Sequence, residues 1–144
     1  MSITFSDHRR VVLERAGYVC ELTRLVPGHV CVGQLQAMHV LPKQAIRNEQ
    51  SKTRIRCSRT GEMTAAEERL IETPLEVIVC DGENGISGCA GGHRDHDLWR
   101  RDRSGRSLRI PRSALPDRIF TFAEAYALEA LMHREFPTNK EDNQ

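Results

Sequence analysis

The sequence predicts an α+β domain, with helices at both ends and short strands between them. Three observations carry this. Two runs of strand length and apolar character, Leu35–Leu41 and Glu76–Cys80, are bounded by turn-forming residues. Helix-start signals stand near the N-terminus and at Thr64–Glu67, where Thr-Ala-Ala-Glu spells a capping box. Phe120, Ala123, Ala127, Leu128, Leu131 and Met132 keep roughly helical spacing, which gives the C-terminal region an apolar face.

Taken in order, Ser6 or Asp7 is expected to cap a first helix through about Ala16, with Val11, Val12 and Leu13 inward and Gly17 at its C′ position. Val26-Pro27-Gly28-His29 is a turn signal. Leu35–Leu41 reads as a strand that Pro42 ends, and Pro42 suits the first turn of a short helix over Lys43–Asn48. Residues 49–63 are polar and basic without apolar periodicity, so they read as a loop or weak hairpin. The capped helix from Thr64 runs to about Glu72, Pro74 stops it, and Glu76–Cys80 reads as a buried strand. Asn84-Gly85 forces a turn before a short strand over Ile86–Gly88. A helix from about Gly91 to Arg103, a short strand over Ser107–Ile110 and a C-terminal helical region ended by Pro137 complete the series.

With 144 residues, the chain is read as a single domain over 1–137, with 138–144 as a polar tail. No apolar run approaches the roughly 20 residues needed to span a bilayer, and no signal-peptide core stands at the start, so no membrane partner is expected. The five cysteines are an odd number without any CxxC pair, which argues against a disulfide framework and for a reducing compartment. Net charge is +1, but charge is segregated. Lys43, Arg47, Lys52, Arg54, Arg56 and Arg59 face one acid, Glu49, within residues 43–59. Residues 60–83 are acidic, and 100–118 turn basic again through Arg100, Arg101, Arg103, Arg106, Arg109, Arg112 and Arg118. Two arginine-rich segments around a His/Asn cluster suggest a polyanion footprint, although a solvated charged surface explains the pattern equally well.

The cluster itself consists of His39 in the segment LQAMHVLPK, then Asn84, then His93, His96 and Asp97. Cleaving a phosphodiester needs a base to take a proton from water and a cation to stabilise charge on the phosphate and leaving oxygen. His39 is suited to the first task. The amide of Asn84 could hold that base through its backbone or ring. On a helix, His93 shares a face with residues three and four further on, so it could bind one divalent cation with His96 or Asp97.

This set resembles the HNH endonucleases of the ββα-metal type, especially small phage and prophage members. The resemblance rests on Arg15–Thr23 (RAGYVCELT), Met38–Pro42 (MHVLP), Asn84-Gly85, Cys89 and His93–His96, with nine residues from Asn84 to His93, and it covers most of 9–137. It implies an HNH core with flanking N- and C-terminal helices and a metal-dependent DNA endonuclease or nickase. His39 is then the general base, Asn84 its orienting residue, and His93 with His96 or Asp97 the ligands of Mg, Mn, Ni or Zn. DNA would be held mostly by its backbone, through Lys43, Arg47, Arg54, Arg56, Arg100, Arg101, Arg103 and Arg106, in the cytoplasm of a bacterial or phage-infected cell; oligomeric state stays open. Three departures accompany it. Met38 stands where the family places a His, Asp or Glu ligand, and a thioether suits Mg²⁺ or Mn²⁺ poorly; His29 or Gln36 are candidate substitutes. Residues of about 48–76 look like an insertion, a DNA-contacting arm. Gly91 and Gly92 stand where relatives carry a second cysteine, so a structural zinc would use Cys20, Cys31 and Cys89 with Cys57, Cys80 or a His as fourth ligand. The alternative function is an HNH scaffold that binds nucleic acid without cutting it.

Overall fold

The computed structural model describes residues 5–102 and 110–137, with side chains at 7–96 and 110–137. It is a mixed α and β fold in which helices dominate and two strands form a small antiparallel sheet. The elements are α1 (Phe5–Arg15), α2 (Leu22–Leu25), β1 (Leu35–His39), α3 (Lys43–Thr60), α4 (Ala65–Glu72), α5 (Leu75–Val79), β2 (Gly85–Cys89), α6 (Ala90–Asp102), α7 (Asp117–Ala125) and α8 (Glu129–Glu135). Single 3-10 turns lie at Gly82–Asn84 and Arg112–Ala114. Among the described residues, no helix is long and apolar enough to cross a membrane.

β1 and β2 pair with Leu35 opposite Cys89, Met38 opposite Ile86 and His39 opposite Gly85. α6 starts at the residue after β2 and packs on both strands, so the chain forms a strand–strand–helix unit. α1 covers the same sheet through His8 and Val12, one turn apart and fully buried. Gly85 permits that approach, since a Cβ there would stand 2.2 Å from Val12 Cγ2 and 3.0 Å from His8 Cε1. Val11, expected inward, is 39% exposed, because the buried stripe runs through His8 and Val12 instead. Helix α1 begins at Phe5, so Ser6 and Asp7 lie within its first turn rather than at its cap. Gly17 takes φ +68° just past its end, as the sequence suggested.

Two elements differ from expectation. Residues 49–63 are no loop: α3 continues to Thr60 and ends at Gly61 with φ +73°. Its buried stripe is Ile46, Glu49 and Thr53, which holds one apolar residue, so hydrophobic periodicity could not reveal it. Glu76–Cys80 is not a strand but the helical turn α5, entered from Pro74. Its β-branched run buries Ile78 and Val79 in the common core, an override of local preference by packing. The capping box at Thr64 forms as read, with Glu67 N–H on Thr64 Oγ1 at 3.1 Å and Thr64 N–H on Glu67 Oε1 at 2.8 Å. The C-terminal helical region divides into α7 and α8 at Ala127, whose φ is +52°. The strand expected over Ser107–Ile110 falls largely outside the described residues, and Ile110 is not in a strand.

Leu22, Met38, Leu41, Ile46, Leu70, Ile78, Ile86, Ile119, Leu128 and Phe136 belong to one continuous core. Side chains of this size each contribute about 1.5–3 kcal/mol on burial. Helices α3 to α5 share that core with the sheet, through Ile46, Leu70 and Ile78.

Candidate functional site

Four potential ligands converge beneath the sheet. Cys20 follows α1, His29 and Cys31 lie in the loop after α2, and Cys89 closes β2. One donor atom from each lies within 4.8 Å of all the others. His29 Nε2 is 3.3 Å from Cys89 Sγ and 3.7 Å from Cys20 Sγ. Legs of about 2.3 Å to sulfur and about 2.1 Å to nitrogen, at the tetrahedral angle, put an S···N edge at about 3.6 Å. The set therefore could bind a metal such as zinc.

The backbone is arranged for thiolates. Val32 N–H and Gly92 N–H both point at Cys89 Sγ, at 3.4 and 3.3 Å, and Cys89 N–H points at Cys20 Sγ at 3.3 Å. Burial opposes ionisation of Cys89, but these N–H groups and the neighbouring thiols outweigh it, and its pKa falls below the ordinary thiol value. Cys31 shifts the other way: the hydrogen bond to Cys20 first, then desolvation, push its pKa up to about 11.

The fourth donor is His29, and neither Cys57 nor Cys80 joins the group. Gly92 shows why. A Cβ at that position would lie 2.9 Å from His29 Cε1 and 3.3 Å from Cys89 Sγ. The imidazole fills the space beside Gly92, one of the two glycines that stand where the HNH resemblance implies a second cysteine. The loop carrying it is tied to the start of α6 by Ala90 N–H to Gln34 O and Gly91 N–H to Val32 O, both 2.8 Å.

The second constellation lies at the other end of the sheet. Asn84 is fully buried. Its Oδ1 accepts Leu41 N–H at 2.8 Å, its Nδ2 donates to Leu41 O and Val79 O at 3.0 Å each, and its own carbonyl accepts Val40 N–H at 3.1 Å. It thus grips the backbone one and two residues past His39, rather than the imidazole. The His39 ring stacks on His8 with centroids 4.5 Å apart and planes 14° from parallel. His8 was missed in the sequence; its one available signal is that it sits one turn before Val12. It is pinned by a 3.0 Å hydrogen bond between Nδ1 and Cys80 O. Burial, reinforced by the nearby His8 and His93 and partly offset by Glu76, holds the His39 pKa down at about 4, so the ring is neutral at pH 7.

His93, on α6, meets Gln36 Oε1 through Nδ1 at 2.8 Å. An amide oxygen only accepts, so Nδ1 is the donor in this contact. His96 points elsewhere: it is buried and stacks on Phe136, with centroids 6.2 Å apart. Met38 is core filling, with Sδ lying where a Cβ on Gly88 would come within 2.2 Å. Among the described residues, His93 joins no group of three or more metal-ligating side chains. The side chains of Asp97, Arg100 and Arg101 lie outside those described, as do residues Arg103 and Arg106 altogether.

The alternating charge blocks meet one another. Lys43 pairs with Glu76, and Arg56 pairs with Glu67. Arg54 reaches Ile71 O at 3.4 Å and Arg47 reaches Gln44 Oε1 at 3.4 Å. Part of the basic segment is thus matched internally by the acidic stretch that follows it.

Fold and site together give a helix-rich mixed α and β protein with a Cys/His cluster that could bind a metal such as zinc. No family model, curated protein or solved structure matches the chain.

Proposed function

We propose that this chain is an HNH-type nuclease domain, a metal-dependent DNA endonuclease or nickase in which β1, β2 and α6 form the ββα-metal core. The observation that carries the reading is Asn84. Its buried side chain fixes the backbone just beyond His39 by three hydrogen bonds, while His39 presents a neutral imidazole. His39 takes the proton from the attacking water. His93, with Asp97 or His96, would hold a divalent cation, and His96 stacks on Phe136 in the core. When bound, the cation supplies charge stabilisation at the phosphate and leaving oxygen. By analogy with the family, the products are a 5′-phosphate and a 3′-hydroxyl. Cys20, His29, Cys31 and Cys89 hold a separate, structural zinc, whose binding ties the loop after α2 to the sheet.

A second reading, DNA binding without cleavage, is favoured by one observation: Met38, where a ligand is wanted, is buried in the core. Plasmid nicking separates the two. Nicking that depends on Mg²⁺, Mn²⁺, Ni²⁺ or Zn²⁺ and disappears in His39→Ala supports the enzyme. DNA binding with no nicking under any of these metals, unchanged in His39→Ala, supports the second reading.

A further inference from the structure

Two arginines from distant parts of the chain converge on one oxygen. Arg15, at the end of α1, donates from Nη1 to Gly82 O and from Nη2 to Gly85 O, each at 2.9 Å. Arg118, in the first turn of α7, donates from Nη2 to the same Gly85 O at 2.9 Å. A carbonyl oxygen has two lone pairs and can accept both bonds, but it carries no charge to balance two guanidinium groups. Among the described residues, neither arginine lies within ion-pair distance of a carboxylate. The acids whose fields reach Arg118 are Glu21 and Glu83. Glu21 is already engaged, with Oε1 accepting Ser87 N–H at 2.9 Å and Oε2 facing Arg24 at 3.3 Å.

The two like charges are held together at a cost. Among the described residues, Arg118 Nε is buried without a hydrogen-bond partner, and burial followed by the charge of Arg15 lowers the Arg118 pKa from its ordinary value. An oxyanion between the guanidinium groups would relieve the repulsion and accept the remaining N–H donors, in the charge-assisted geometry at which arginine excels. Position narrows the class of anion. Gly85 faces His39 across the two strands, so the pair stands one strand away from the histidine. Lys43 and Arg56, by contrast, are matched to acids of this chain.

We infer that Arg15 and Arg118 form an anion clamp, converging on Gly85 O, that takes a backbone phosphate of a bound DNA duplex. The inference rests on the nucleic-acid reading above but needs no catalysis. It also shifts part of the DNA footprint from the 43–59 segment to the junction of α1, β2 and α7.

Affinity for a short labelled duplex, measured across a salt series without divalent metal, tests it. Each phosphate contact contributes about 0.9 to the slope of log affinity against log salt. Because both side chains hold one phosphate, the double variant Arg15→Gln/Arg118→Gln should lower the slope by about 0.9 and each single variant by part of that, with melting temperatures near wild type because glutamine can still donate to Gly85 O. Should the Gln variants unfold, Arg15→Lys and Arg118→Lys serve instead: the slope is retained while affinity drops, since lysine keeps the charge and loses the fork. Arginine Nε–Hε NMR signals distinguish the phosphate source. Shifts at Arg118 on duplex addition, at concentrations where inorganic phosphate has no effect, support the assignment; a response to inorganic phosphate alone overturns it. A folded double variant with wild-type affinity and slope overturns the clamp while leaving the DNA-binding reading intact. A wild-type protein that binds no duplex overturns both.

Discussion

Replacing Asn84 with alanine removes one side chain and strands three buried backbone groups. Leu41 N–H loses its acceptor, and Leu41 O and Val79 O lose their donor, at a position with no solvent exposure. An unsatisfied buried group costs about 1–3 kcal/mol, and carbonyls tolerate the loss better than N–H groups, so the three together cost about 3–5 kcal/mol. Unfolding entropy of about 2 cal/mol/K per residue gives about 0.3 kcal/mol/K for a chain of this length, so the melting temperature should fall by about 10–17 °C. Urea denaturation and calorimetry measure both quantities. Asn84→Asp is the informative companion, because it keeps an acceptor for Leu41 N–H and sets a carboxylate against two carbonyls; its loss should equal or exceed that of alanine. A loss below about 1 kcal/mol in Asn84→Ala would refute the claim that this side chain organises the backbone after His39.

Three further outcomes follow from the same geometry. His29→Ala removes one of four donors and should weaken zinc binding by about 100-fold, taking roughly a quarter to a fifth of the 10–16 kcal/mol typical of structural zinc; chelator competition reads this, and unchanged affinity would exclude His29 as a ligand. His39 should show in the pH dependence of stability. Its native pKa of about 4 lies below the unfolded value of about 6.5, so the unfolded chain binds more protons between those limits. Its contribution is complete above pH 6.5 and is lost as pH falls through 4; the urea midpoint of His39→Gln should therefore fall less steeply than wild type across that window, and parallel curves would contradict the buried, neutral ring. Met38→His restores the ligand type that the HNH resemblance implies at position 38 and should raise metal-dependent nicking by about tenfold or more, despite a loss of core stability. A stable variant with no gain would mean that position 38 has no part in a metal site.

Much of the site was legible because its signals are local. The capping box at Thr64 and the glycine after α1 are short patterns with one mechanical meaning each; the Asn-Gly turn expected at Asn84-Gly85 instead closes at Gly82–Asn84, and Gly85 is extended strand at φ −142°. The HNH resemblance implied Cys20, Cys31 and Cys89 as a group, but the choice of His29 over Cys57 or Cys80 depends on the loop after α2 folding back against Gly92, which no spacing rule encodes. α3 was hidden because its buried stripe uses Glu49 and Thr53, with Glu49 matched by Arg134 and Lys52. Intrinsic propensity was the better guide there, since residues 43–60 contain neither glycine nor proline. α5 misled in the opposite direction, with a β-branched run wound into a helix so that Val79 O and Cys80 O meet Asn84 and His8. The role of His8 is a tertiary fact: only the approach of α1 to Gly85 brings its ring onto His39. Charge blocks were visible in the sequence, whereas their mutual neutralisation required the packing of α3 against α4 and α5.

The central claim, that His39 acts as the base of an HNH-type nuclease, is met most directly by a supercoiled-plasmid assay of wild type and His39→Ala under Mg²⁺, Mn²⁺, Ni²⁺ and Zn²⁺ in turn. Relaxed or linear product is expected from the wild type with at least one of these ions, and none above background from His39→Ala. Nicking of equal rate in both proteins, or an intact plasmid with every ion, would contradict it.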